Sequence, residues 1–129
     1  MDSLKISEEF MTDQKTLYEA WMSSKGHSEM TDSPAKIEAK IGGEFTAWDG
    51  YISGTTKELV PDKKIVQKWR TTEFPDDAPD SDLEISLEPA GKGTTLTLIH
   101  TNIPAGQKKQ YEDGWTEFYF EPMKEYFKK

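Results

Sequence analysis

The stretch from Phe45 to Arg70 limits the possible folds more than any other part of the chain, because two turns divide it into three β-rich runs. Asp49-Gly50 predicts a two-residue hairpin turn, since glycine adopts positive φ without steric cost and aspartate tolerates it. Pro61-Asp62 predicts a second turn, because proline fixes φ at the first central position. The stretch therefore predicts an antiparallel meander, within which Gly54 indicates a bulge or a close backbone approach.

Apolar spacing predicts the other strands and a first helix. Alternation of apolar and polar residues predicts three strands, each with one face towards the core. The inward-facing residues are Leu4, Ile6, Glu8 and Phe10 on the first strand, Leu83, Ile85 and Leu87 on the second, and Leu96, Leu98 and His100 on the third. Thr12 is predicted to cap an amphipathic helix that fades near Ser24. Residues 26–34 are predicted to be mostly loop, with room for one short helical turn, and His27 is alone there without a visible metal partner.

From Gln107 to the C-terminus the period changes from two to 3.6, which predicts one long helix. Pro122 lies inside this helix and predicts a kink near Phe118, because proline removes a hydrogen bond and displaces that carbonyl. The apolar stripe of the helix consists of Tyr111, Trp115, Phe118, Tyr119, Met123 and Tyr126. The order of elements predicts an α+β helix-grip fold, in which a curved antiparallel sheet of about seven strands surrounds the helix and often leaves a space beneath it.

Composition narrows the function classes. The 129 residues suit one domain, residues 1–129. A net charge of -8 makes nucleic acid and anionic membranes poor partners, and the lack of cysteine excludes disulfides, thiol catalysis and cysteine-bound metals. The sequence has no signal peptide, no long apolar run and no cofactor or metal motif, so we expect a cytoplasmic protein without a cofactor or a membrane partner.

A set of short matches runs along essentially the whole chain: Gly43 with Phe45, Asp49-Gly50, Ser53-Gly54, Leu59-Val60-Pro61, Ile65-Val66, Lys68-Trp69-Arg70, Ile103-Pro104, Gly114-Trp115, Tyr119-Phe120-Glu121 and Lys124. In these residues the chain resembles the activator of heat-shock protein 90 ATPase homologue family, a branch of the START-like helix-grip superfamily. The resemblance is to the C-terminal domain of a two-domain co-chaperone. It implies a helix-grip fold and a heat-shock protein 90 chaperone as an alternative partner. The N-terminal domain of that co-chaperone, which contacts the chaperone's middle segment, is expected to be missing.

Six residues are candidates for a ligand site between helix and sheet: Glu8, Gln67, Trp69, His100, Trp115 and Tyr119. Glu8 and His100 are predicted to lie on inward faces of neighbouring strands. A carboxylate beside an imidazole suits acid–base work, but a buried pair that only tethers two strands is more common, and we expect the latter. The aromatic candidates suit an apolar ligand, although such a stripe is more often simply core. An acidic loop carries Glu73, Asp76, Asp77, Asp80 and Asp82; its spacing is not that of an EF-hand, so we expect a solvated loop.

Three function classes remain open. We favour a non-enzymatic binding protein that holds a small apolar ligand between the C-terminal helix and the sheet. The first alternative is a co-chaperone-like module that regulates a heat-shock protein 90 ATPase, as the family name implies. The second is a polyketide-cyclase-type enzyme, because some members of the superfamily are such enzymes. A large cavity favours the first class, an exposed apolar patch over a filled core favours the second, and several polar groups converging in the cavity favour the third.

Overall fold

A computed structural model describes residues 1–128. Seven strands form one antiparallel sheet in the order β1-β7-β6-β5-β4-β3-β2, so the first and last strands are neighbours. The strands are β1 (Asp2–Phe10), β2 (Lys36–Ile37), β3 (Glu44–Ala47), β4 (Ile52–Val60), β5 (Lys64–Thr71), β6 (Ser81–Ala90) and β7 (Gly93–Ile103). The curved sheet and the helix that follows it confirm the predicted helix-grip fold.

The Asp-Gly hairpin turn between β3 and β4 is confirmed. Asp49 and Gly50 have φ values of 55° and 90°, and the Tyr51 amide donates to the Trp48 carbonyl over 3.1 Å. Positive φ at both central residues is the requirement of a type I′ turn, whose twist matches that of the flanking strands. Trp48 also has a positive φ, 54°, which the sequence did not predict.

The proline turn between β4 and β5 and the close approach at Gly54 are also confirmed. The Lys63 amide donates to the Val60 carbonyl over 2.9 Å across Pro61-Asp62. A Cβ on Gly54 would lie 1.9 Å from the Lys68 carbonyl oxygen on β5, so only glycine lets the two backbones come this close. The register shift of β4 lies elsewhere, at residues 56–58.

Two short helices, α1 (Gln14–Trp21) and α2 (Ser24–Thr31), connect β1 to β2. The predicted cap on Thr12 is wrong by one residue, because it is the Asp13 carboxylate that accepts from the Thr16 amide over 2.8 Å. The prediction that residues 26–34 are mostly loop, with one short helical turn at most, is also wrong, because α2 is a helix of 8 residues. Ser23 caps α2 through the Gly26 amide, and Asp32 ends it in the left-handed conformation, which short polar side chains tolerate.

The C-terminal helix, residues 108–126, has three consecutive parts: α3 (Lys108–Gly114), a π-helical segment (Trp115–Phe120) and α4 (Glu121–Tyr126). The irregularity predicted near Phe118 therefore takes the form of a π turn. Pro122 has no N–H for the preceding turn, and within the widened segment the Glu121 amide donates to the Thr116 carbonyl five residues back. Lys129, the last residue of the predicted helix, lies outside the described residues.

The π segment changes which side chains of the helix face the sheet. Phe118, predicted to be part of the apolar stripe, is 54% exposed, whereas Phe120 and Phe127 are buried in its place. A π turn holds more residues than 3.6, so the angular positions after Trp115 shift. Phe120 then packs against Phe10 of β1, with ring centroids 6.0 Å apart. None of the helices within residues 1–128 combines the length and the apolar character needed to cross a bilayer.

Candidate functional site

A cavity of about 420 Å³ lies between the C-terminal helix and the meander half of the sheet. Aromatic rings form most of its wall. The lining residues are Trp48, Tyr51, Ile52, Trp69, Glu73, Gln110, Tyr111, Gly114, Trp115, Phe118 and Tyr119. The β3–β4 turn, strand β5, the loop after it and the helix therefore each contribute one side of the site.

The inner wall is a cluster of packed rings on β5 and the helix. Trp69 lies 5.5 Å from Trp115 and 5.2 Å from Tyr111 between ring centroids, and Trp115 lies 4.8 Å from Tyr119. All four are buried, and tilted or edge-to-face contacts of this kind hold rings in place. The wall is therefore preformed rather than assembled by a ligand.

Gly114 keeps the space beneath the helix open. It has helical torsion angles, φ −63° and ψ −42°, so a larger residue would be tolerated by the backbone. A Cβ built on it would meet only the Phe118 ring, at 3.9 Å. The volume beside Gly114 is thus available to a ligand or to an introduced side chain.

Trp48 forms the outer wall in a strained conformation. A positive φ is uncommon for a bulky residue and costs free energy, and such strain tends to occur at functional sites. Its ring makes edge contacts with Phe118 at 5.7 Å and Tyr119 at 6.4 Å. Among the described residues its buried indole Nε1 has no hydrogen-bond acceptor.

Glu73, the only charged lining residue in the described part of the chain, lies at the mouth of the cavity. One carboxylate oxygen, Oε2, accepts hydrogen bonds from the Tyr51 hydroxyl and, over 2.6 Å, from the Gln110 amide. The Gln107 side chain donates to the Glu73 carbonyl over 3.1 Å. The helix and the end of the β3–β4 turn thus hold the carboxylate of this β5–β6 loop residue at the opening.

His27 supports the site from behind and does not lie in a loop, as predicted, but in α2. Its Nδ1 donates to the Trp21 carbonyl over 2.9 Å, so its Nε2 accepts from the Tyr119 hydroxyl over 2.8 Å. Burial lowers the pKa of His27 to about 4, and burial also raises the pKa of Tyr119. A neutral imidazole therefore orients the Tyr119 ring in the cavity wall.

His100 is likewise a neutral, fully bonded residue of the core. The Trp115 indole donates to its Nδ1 over 3.2 Å, so its Nε2 donates to Ser81 Oγ over 2.7 Å, and that hydroxyl donates to the Trp69 carbonyl. Burial lowers the pKa of His100 to about 3. The network positions Trp69 and Trp115, which line the cavity, although His100 itself does not.

The predicted pairing of Glu8 with His100 is wrong. Strands β1 and β7 are neighbours, but their register places His100 opposite Leu4 and Glu8 opposite Leu96. Four residues of strand separate the two positions, about 14 Å at the usual rise. Glu8 instead forms an ion pair with Lys124 of the C-terminal helix.

Of the six candidate site residues, the structure brings Trp69, Trp115 and Tyr119 to the cavity. Gln67 is buried away from it and donates to the Thr56 hydroxyl over 3.2 Å. The sequence patterns did not mark the remaining lining residues as a site, namely Trp48, Tyr51, Ile52, Glu73, Gln110, Tyr111, Gly114 and Phe118. The Asp-Gly turn could have indicated Trp48 and Tyr51, because they flank the turn and it lies at the end of the meander nearest the helix.

The rest of the acidic loop forms no metal site. Asp80 forms an ion pair with Arg70 at 2.8 Å, and Asp82 forms one with Lys68. Asp76 and Asp77 are exposed, as predicted for a solvated loop. Within residues 1–128, no three histidine or carboxylate side chains are grouped as metal ligands would be.

Comparison with known proteins gives consistent relatives. A family model described as "Activator of Hsp90 ATPase homolog 1-like protein" matches residues 11–128. Activator of 90 kDa heat shock protein ATPase homolog 1 from Homo sapiens is 32% identical over 124 residues, 96% of this chain and 36% of that protein. The activator homologue from Dictyostelium discoideum is 29% identical over 97% of this chain and 33% of its own length, so the chain spans about a third of these relatives. The solved structure of an HSP90 activator from Plasmodium falciparum superposes with a TM-score of 0.85 at 26% identity, covering 92% of this chain and 91% of that one.

Proposed function

The chain belongs to the family of activator of Hsp90 ATPase homologue 1-like proteins, and on that premise we propose that it binds a small apolar ligand between its C-terminal helix and its sheet. The observation that carries the proposal is the aromatic cavity of about 420 Å³. Ligand pockets commonly measure about 300–1,000 Å³ and combine apolar walls with few polar groups. The lining here has that composition.

Two local features favour a binding role for this cavity over the alternative that it is a packing defect. The helix that forms one wall is π-helical from Trp115 to Phe120, and such segments recur at functional sites. The opposite wall holds Trp48 at positive φ, a conformation that costs about 1–3 kcal/mol. Both irregularities meet at the same cavity, and each keeps an aromatic ring in its wall.

The proposal is tested by calorimetric titration with a neutral apolar probe, N-phenyl-1-naphthylamine, and by native mass spectrometry of protein purified from cells. The decisive variant is Gly114→Leu, because residue 114 lines the cavity and a Cβ there meets no atom closer than 3.9 Å, so a larger side chain has room to occupy the space. Replacing a helical glycine also adds about 1 kcal/mol of helix propensity. We expect probe binding by the natural chain and its loss in a variant that is at least as thermostable.

Gly114→Ala is the matched control, because it gives a similar gain in helix propensity but occupies little of the cavity. It should bind the probe nearly as well as the natural chain. Failure of the natural chain to bind any apolar probe contradicts the proposal. Unchanged probe binding by Gly114→Leu would place the binding elsewhere and contradict it equally.

The second candidate function is that of a co-chaperone-like module that stimulates a heat-shock protein 90 ATPase. Two observations favour it: the Plasmodium falciparum relative, which matches over nearly its whole length, is described as an HSP90 activator, and Phe118 is exposed on the helix. Exposed aromatic residues are common anchors of protein interfaces. Glu8 and His100, the acid–base pair considered from the sequence, do not meet, so no observation favours the polyketide-cyclase alternative.

The same variants separate the two candidates. A co-chaperone that binds through Phe118 should lose ATPase stimulation in Phe118→Ser but keep it in Gly114→Ala, which adds only a Cβ at 3.9 Å from that ring. A ligand carrier should leave ATP hydrolysis unchanged with the natural chain and with every variant, and should lose only probe binding in Gly114→Leu. The measurement is ATP hydrolysis by a heat-shock protein 90 homologue from the same organism, titrated with each variant.

A further inference from the structure

We propose that the cavity selects an aromatic or aliphatic ligand that carries a positive charge, such as a primary or quaternary ammonium, over neutral and anionic ligands of the same skeleton. The inference rests on the proposed binding function. The chemical class of the ligand follows from the one charged group and the aromatic rings that line the site.

The described residues that line the cavity carry negative charge and no positive charge. Among residues 1–128, Glu73 is the only ionisable group of the lining apart from tyrosines, and no lysine, arginine or histidine lines the cavity. A ligand carboxylate or phosphate would therefore meet a carboxylate at the mouth and find no cation to pair with. A ligand cation would meet an opposite charge at the point where it leaves water.

The Glu73 carboxylate is held in place without being neutralised. Its two side-chain hydrogen bonds come from neutral donors, Tyr51 and Gln110, and both go to Oε2. Within residues 1–128, no ion pair involves Glu73, and Oε1 accepts no hydrogen bond. Arg70 of β5 forms its ion pair with Asp80, and Lys109 of the helix forms one with Asp113. The carboxylate is thus positioned and has one oxygen available.

The aromatic wall favours a cation for an independent reason. Seven lining residues carry rings, namely Trp48, Tyr51, Trp69, Tyr111, Trp115, Phe118 and Tyr119. The face of an aromatic ring carries negative electrostatic potential and attracts ammonium groups within about 6 Å, most strongly for tryptophan. Recognition of quaternary ammonium groups by several rings together with a carboxylate is a general physical solution, and this cavity contains both parts.

The experiment compares three ligands of one skeleton by calorimetric titration of the whole chain: 1-naphthylmethylammonium, 1-naphthylmethanol and 1-naphthoate. We expect the cation to bind about tenfold more tightly than the alcohol, the size of one favourable cation–π or charge contact, and the anion to bind most weakly. The preference should shrink as salt is raised, because Glu73 lies at a solvent-exposed mouth.

Glu73→Gln should abolish the preference for the cation while leaving affinity for the alcohol within about twofold, since glutamine can still accept the hydrogen bonds of Tyr51 and Gln110. Asp76→Asn is the matched control: it removes one negative charge from the same exposed loop without touching the cavity, and it should keep the preference. The comparison of ligands on the natural chain does not depend on either variant.

The outcomes distinguish the two proposals. Equal affinity for the cation and the alcohol, or tighter binding of the anion, overturns the charge selection and leaves the proposed binding function standing. Binding of none of the three ligands overturns the binding function and the selection with it. Equal loss of preference in Asp76→Asn and Glu73→Gln would assign the effect to net charge and overturn the role of the cavity mouth.

Discussion

Lowering the pH from 7 to 5 should destabilise the fold through its two buried histidines. Burial lowers the pKa of His27 to about 4 and that of His100 to about 3, and for His100 the nearby Asp82 charge opposes the shift only in part. An imidazole in the unfolded chain has a pKa of about 6.5. The unfolded state therefore binds protons more readily, so the free energy of unfolding is greatest above about pH 6.5 and falls as the pH drops towards the folded-state values.

The magnitude follows from these pKa values. At pH 5 an unfolded imidazole is almost fully protonated, whereas both folded histidines are still nearly neutral. One pKa unit corresponds to about 1.4 kcal/mol. Between pH 7 and pH 5, each histidine should therefore lower the free energy of unfolding by about 2 kcal/mol, and the two together by about 4 kcal/mol. That is a large part of the roughly 5–15 kcal/mol by which such domains are stable.

Urea unfolding at pH 7, 6 and 5, in about 0.15 M salt to screen the net charge of -8, measures the effect. Most carboxylates titrate below this window, and the chain has only these two histidines. His27→Gln and His100→Gln, although less stable at pH 7, should each show about half the pH dependence. A free energy of unfolding that is flat between pH 7 and pH 5 would refute the reasoning.

Four substitutions test the packing and capping arguments by urea unfolding. Trp115→Ala should cost about 3–5 kcal/mol, because it empties the centre of the core; a loss under about 1 kcal/mol would mean that the helix face is misassigned. Gly54→Ala should cost at least about 1–3 kcal/mol, since the new Cβ would overlap the Lys68 carbonyl; an unchanged midpoint would contradict that contact. Asp13→Ala should lower the free energy of unfolding by about 1 kcal/mol and Thr12→Ala by much less. The opposite order would mean that Thr12 caps the helix, as the sequence predicted.

Features governed by local rules could be predicted from the sequence. The φ preferences of Asp49-Gly50 and Pro61-Asp62 act within four residues, so both turns were identified correctly. Alternation along β6 and β7 depends only on which side chains avoid water, and the buried faces there are as predicted. The helix-grip fold follows from these elements and their order, because a sheet and a helix with one apolar face each must cover one another.

Features that depend on distant parts of the chain could not be predicted. The register of β1 against β7 separates Glu8 from His100, and alternation reveals which face a residue is on but not what lies opposite it. The carboxylate of Glu73 reaches the cavity only because Tyr51 and Gln110, from two other elements, hold it there.

The C-terminal helix shows the same division within one element. Its length and apolar character were visible in the sequence, and Pro122 marked the place of an irregularity. A helix that lacks one backbone N–H can either kink or widen into a π turn. Which of the two forms depends on the packing of the side chains around it. Here the π turn points Phe120 into the core and Phe118 towards solvent. The sequence alone determined that this helix would cover the sheet; the tertiary packing decided which rings it buries and where the cavity lies.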